Sequence, residues 1–135
     1  MTSAMRQSMN IVLYAPVIPQ NTGSIARLAA CTGARLHLIH PLGFRTDEAS
    51  IRRAGLDYWS QVEIYEHSDW ESFLQKETPE SLYFFSKFGK KSYVKAQFVS
   101  NSYLVLGNET KGLPIEIHKE RAESVYQIPM RTHLV

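Results

Sequence analysis

Apolar positions in this chain fall into short blocks separated by polar, glycine- or proline-bearing breaks, alternately at strand and helix spacing. Ile11-Val12-Leu13-Tyr14 is a compact apolar run of the kind that forms a central strand buried on both faces of a parallel sheet. Pro16 and Pro19 stop it, because each removes a ladder donor. Asn21-Thr22-Gly23-Ser24 then opens a helix with Ile25, Leu28, Ala29 and Thr32 on one face, and Gly33 ends it. Leu36 to His40 reads as the second strand, closed by Pro41-Leu42-Gly43, and Asp47 to Arg53 as a short helix capped at Thr46 or Asp47. Val62 to Tyr65 alternates as a third strand. Asp69 caps a helix through Trp70, Phe73 and Leu74 that ends before Thr78-Pro79. Leu82 to Ser86 is another buried strand, and Lys87-Phe88-Gly89-Lys90-Lys91 is a basic loop at its carboxyl end. Tyr103-Leu104-Val105-Leu106 is a strand cut off at Gly107, Leu113 to Glu120 is helical, and Ser124 to Ile128 is the last strand.

That alternation predicts an α/β fold with a mostly parallel sheet and helices on both faces. Ligands of such sheets sit at the carboxyl ends of strands. Three segments lie there: Asn21 to Arg27, Leu106 to Leu113, and Ile128-Pro129-Met130.

At 135 residues, 44% hydrophobic and 21% charged, the chain reads as one globular domain, residues 10–135, behind a flexible leader, 1–9. No apolar run is long enough to span a bilayer, so no membrane partner is expected. Cys31, the single cysteine, cannot form an internal disulfide, which fits a reducing cytoplasm. It falls in an apolar helical pattern and is expected to be buried. A net charge of +2 neither demands nor excludes nucleic acid, so local patches must carry that argument. Arg45, Arg52 and Arg53 beside Tyr58 and Trp59 combine phosphate-pairing cations with stacking rings; the plainer alternative is a helix cap with aromatics entering the core. Lys87 and Lys90 around Phe88 could touch a phosphate backbone, although such loops are more often merely solvated.

Common catalytic signatures are absent. The chain has no phosphate-binding glycine loop and no Gly-x-Ser-x-Gly elbow. It has no Cys/His cluster of metal spacing; His37 and His40 read as strand-end polar groups, and no metal is expected. Arg27 is the one charged residue between Ser24 and Gly33, and by itself is equally a surface residue that pairs locally.

Taken together and in order, Asn21-Thr22-Gly23-Ser24-Ile25-Ala26-Arg27, Leu106 to Leu113 and Ile128-Pro129-Met130 resemble the three motifs of the SpoU-type RNA 2′-O-ribose methyltransferases, members of the trefoil-knotted SPOUT superfamily. Pro19 to Gly23, Arg53-Ala54-Gly55-Leu56-Asp57-Tyr58-Trp59 and Gly107 to Pro114 are similar to the branch that methylates tRNA cytidine or uridine 34. The resemblance implies an α/β-knot fold, S-adenosyl-L-methionine as cofactor, the tRNA anticodon stem-loop as substrate, a homodimer and a cytoplasmic setting. It implies Arg27 as the residue that activates or orients the ribose hydroxyl, with phosphate and ribose positioning as an equal role. An arginine needs unusual surroundings to act as a base. Asn21 would hold Arg27 or the ribose, and Glu109 would support the arginine or the loop backbone. Phe85, Ser86, Gly107, Ile128 and Met130 would form the cofactor site, with Gly107 leaving room for the ligand. Arg52, Arg53, Lys87 and Lys90 would contact RNA.

One departure matters. The family's third motif runs on into an Arg-Ser-Leu-Asn stretch and a C-terminal helix, whereas this chain stops at Val135. The expectation is a C-terminally short domain with the knot in doubt. Two alternatives follow: an active wobble methyltransferase, or an inactive or truncated member that binds RNA or a partner without methyl transfer.

Overall fold

Seven strands form one sheet in the order β3-β2-β1-β6-β4-β7-β5, and every strand pairing in it is parallel. The computed structural model describes residues 9–46, 48–53, 57–85, 91–92, 101–108, 111–114, 116–117, 121 and 125–127. The strands are β1 (Asn10–Tyr14), β2 (Arg35–Ile39), β3 (Ile64–His67), β4 (Leu82–Phe85), β5 (Lys91–Ser92), β6 (Tyr103–Leu106) and β7 (Val125–Gln127). The helices are α1 (Pro19–Thr32), α2 (Glu48–Arg53) and α3 (Trp70–Glu77), with a 3-10 turn at Asp57–Gln61. The parallel α/β expectation holds.

Period-two alternation divides the core into two layers. Ile11, Leu13, Leu36 and Leu38 face one way and pack with Ala26 and Ala29 of α1. Val12, Ile39, Phe84 and Val105 face the other way and pack with Phe73 of α3. Helices therefore cover both faces. Pro19 occupies the first turn of α1, where its missing N–H costs nothing. Gly33 ends that helix in the left-handed region at φ 78°, its N–H donating to Ala29 O at 2.8 Å. Asp69 caps α3 by accepting the Ser72 N–H at 2.8 Å.

Several expectations need correcting. The buried face of α1 is Thr22, Gly23, Ala26 and Ala29, small residues that let the helix lie close to the sheet, while Leu28 is 52% exposed. Cys31 lies on the outer side of the same helix and is exposed, not buried. The third strand begins at Ile64, two residues later than the alternation suggested, because the 3-10 turn runs to Gln61 and Val62 closes it by donating to Trp59 O. Lys91, placed in a basic loop by the sequence, is instead in β5, paired with Tyr126. Met9 packs with the fold: its carbonyl accepts the Arg35 N–H at 2.9 Å and its side chain packs on the α1 layer.

His37 is the largest departure. It lies mid-strand in β2 and is buried on the α3 face, where its Nδ1 is 3.0 Å from His67 Nε2 and its Nε2 is 3.1 Å from Asn10 Oδ1. Burial pushes its pKa down to about 4, with Glu77 pulling the other way. Burial lowers that of His67 as well. His40 does sit at the strand end, 2.7 Å from Glu66 Oε1.

Candidate active site

The carboxyl ends of β1, β4, β6 and β7 meet in register. Leu13 pairs with Leu106, Phe85 with Leu106, and Phe85 with Tyr126. The ends of these strands are therefore adjacent although they are distant in sequence. Phe85, proposed from sequence as a cofactor residue, is buried at the end of β4, one strand from Gly107.

The turn after β6 is closed by its own backbone. Asn108 N–H donates to Gly112 O at 2.9 Å, and Gly112 N–H donates back to Asn108 O at 2.8 Å. The Asn108 carboxamide does two further jobs. Its Oδ1 accepts the Lys111 N–H at 3.0 Å, and its Nδ2 donates to the carbonyl of Ala15 just past β1. Ala15 holds φ 47°, a left-handed conformation that costs a residue with a Cβ on the order of 1 kcal/mol.

This crossing separates two cavities. One, of about 330 Å³ on the α1 side, is lined by Leu13, Pro16, Asn21, Thr22, Ser24, Ile25, Leu106 and Gly107. The other, of about 400 Å³, has Tyr14, Leu42, Asn108, Lys111 and Leu113 in its walls. The Tyr14 hydroxyl there has its pKa raised by burial first, then by the nearby carboxylates Glu116 and Asp69. The pocket after β1 arises because Pro16 and Pro19 turn the chain away before α1 begins.

A Cβ on Gly107 would lie 2.6 Å from Gly112 C and 2.7 Å from Leu113 N, so the tightness of its own turn already requires a glycine there. Asn21 lines the smaller cavity, as a ribose-holding residue would. Arg27 is exposed on the same helix, about 9 Å farther along the axis and about 120° around it. Helix geometry thus sets the two residues on different sides of α1. Arg52 and Arg53 close α2. Trp59 packs against the α1 layer of the core, which favours the aromatic-into-core alternative for that ring. Ser86, Lys87, Lys90, Glu109, Ile128 and Met130, and the segment on which the expected knot would depend, lie outside the described residues.

Two wall residues were not singled out from sequence. Thr22 is buried, and its Oγ1 has no hydrogen-bond partner among the described residues. Asn108 was quoted in a motif but given no role. Its only local signal was an asparagine after a strand end, a residue type that bonds its own following backbone.

Residues 8–134 match the SpoU rRNA Methylase family. The chain is 46% identical over 122 residues to a tRNA (cytidine(34)-2′-O)-methyltransferase of Saccharophagus degradans, covering 90% of this chain and 79% of that protein. It is 44% identical over 123 residues to the enzyme of the same name from Escherichia coli, covering 90% of this chain and 78% of the other. A solved structure concerned with the 2-OH methylation of C/U34 on tRNA superposes with a TM-score of 0.83 at 40% identity, over 93% of this chain and 82% of that one. The order of the motifs, the sheet they end on and these relationships agree: the chain belongs to the SpoU methylase family.

Proposed function

We propose that this protein methylates the ribose 2′-hydroxyl of the wobble nucleotide, cytidine or uridine 34, in the anticodon stem-loop of tRNA, with S-adenosyl-L-methionine as donor. The observation that carries the reading is the cavity that holds Asn21, walled by the ends of β1 and β6, with β4 and then β7 in register beyond β6. The names of the relatives supply the substrate.

When bound, the cofactor supplies an electrophilic methyl group on a positively charged sulfur. The protein's part is to orient the ribose and manage the hydroxyl proton. Asn21 holds the ribose by its carboxamide, and Arg27 on the open side of α1 binds the adjoining phosphate and orients the 2′-hydroxyl. Positioning of this kind supplies most of such an acceleration, because the attack needs little more than alignment and loss of one proton. Phe85 and the backbone at Gly107, with Ser86, Ile128 and Met130 beyond them, form the cofactor's side of the pocket. Glu109 supports the arginine, and Arg52, Arg53, Lys87 and Lys90 extend the RNA surface. The same reading implies a homodimer in the cytoplasm.

Incubation with tRNA and methyl-labelled S-adenosylmethionine, followed by nuclease digestion and mass spectrometry, tests the proposal. A single 2′-O-methyl at position 34 is expected. Absence of ribose methylation, or methylation at another position, overturns it.

A further inference from the structure

On the far side of the sheet from the cavity at Asn21, under α3, three potential ligand groups converge with no role in the reading above. One ring nitrogen each of His37 and His67 and a carboxylate oxygen of Glu77 all lie within 4.8 Å of one another. We propose that His37, His67 and Glu77 form a binding site for a divalent transition metal of the zinc class, which ties β2, β3 and the end of α3 together.

The register explains the convergence. Ile39 pairs with His67, so His37, two residues back in β2, presents its ring on the same face as His67. The two rings lie 22° from parallel with centroids 5.2 Å apart, and their facing nitrogens are 3.0 Å apart. Zinc bonds to nitrogen at about 2.0–2.1 Å, so two ligands of a tetrahedral site stand about 3.3 Å apart. The histidine pair is within a few tenths of an ångström of that spacing, and from within 4.8 Å the Glu77 carboxylate closes by a shift of at most about 1.5 Å.

Outer contacts are already in place. Asn10 Oδ1 lies 3.1 Å from His37 Nε2, and in the tautomer with the proton on Nε2 it accepts that N–H and leaves the Nδ1 lone pair directed at His67. Tyr103 Oη donates to Glu77 Oε1 at 3.0 Å, which orients the carboxylate and leaves Oε2 to coordinate. Two histidines and one carboxylate form a donor set suited to zinc, cobalt or nickel rather than magnesium or calcium. A route in exists as well. Glu77 and Tyr103 line a polar cavity of about 540 Å³ together with Arg35 and Ser81, at the amino ends of the strands. Water entering there would complete the fourth position.

This site stands on the opposite layer from Asn21 and independently of the methyl-transfer reading. Its test needs no RNA. The untagged 135-residue chain, stripped with EDTA, is titrated with cobalt and then with zinc. One equivalent of cobalt should bind with the visible d–d bands of a four-coordinate site, zinc should displace it, and zinc should raise Tm. Glu77→Gln keeps the Tyr103 contact and should weaken zinc by at least about tenfold. His67→Asn should abolish the cobalt bands, and Cys31→Ser should leave them unchanged. No saturable binding, binding lost in Cys31→Ser, or wild-type affinity in folded Glu77→Gln overturns the proposal. If His67→Asn does not fold, the Glu77→Gln affinity decides alone.

Discussion

Asn108 and Ala15, 93 positions apart, are joined by a hydrogen bond from the Asn108 side-chain amide to the Ala15 carbonyl. It ties the turn after β6 to the first residue beyond β1, and the two cavities at the strand ends lie on either side of it. Asn108→Ala should loosen both walls. Loss of one half-buried and one exposed hydrogen bond costs about 1–2 kcal/mol, read by urea denaturation, and methyl transfer should fall more than cofactor affinity. Unchanged stability would mean that the turn is held by its backbone pair alone.

Gly107 makes a separate claim on that turn. With Gly112 C 2.6 Å from where a Cβ would stand, Gly107→Ala must displace backbone rather than a flexible side chain. We expect a loss of about 1–3 kcal/mol, as for other overpacked sites. Because the clash is internal, the loss appears without any cofactor present. An isostable variant with weakened cofactor binding would support the view that the glycine makes room for the ligand.

Arg27 is exposed, so its replacement separates chemistry from folding. Arg27→Ala should change stability by no more than about 0.5 kcal/mol and reduce methyl transfer by about 10²-fold or more. Cofactor affinity, measured by calorimetry, should stay near wild type. A wild-type rate would remove Arg27 from the site.

The cap of α3 predicts an acid limb in the stability profile. The backbone N–H and hydroxyl of Ser72 hold the Asp69 carboxyl below the usual carboxylate range. A carboxyl with a lowered folded pKa contributes stability above its unfolded value, about 3.9, and loses it as pH falls through the folded value. Asp69→Ala should therefore lower Tm at neutral pH, and the gap from wild type should shrink in acid. Asp69→Asn keeps a capping acceptor and should flatten that dependence. A gap that does not vary with pH would show that the charged form is not what caps the helix.

The sequence by itself determined much here. Apolar runs and proline breaks marked β1, β2, β4, β6 and β7, with only their ends shifting by a residue or two, because buried parallel strands are written as continuous local patterns. Asp69 and Gly33 were legible as helix ends, since capping is a contact within one turn. Three ordered motifs also carried the family. Tertiary structure decided what depends on which strands become neighbours. Leu28 looked like core by period, yet the sheet accepts only the small side of α1, where Thr22, Ala26 and Ala29 allow close approach. His37 looked like a polar strand end until β2 paired with β3 and brought His67 beside it. Asn108 looked like one member of a motif until β6 paired with β1 and placed Ala15 within its reach. Local pattern encodes whether a residue is in a strand and which way it faces; only pairing between distant segments decides what it touches.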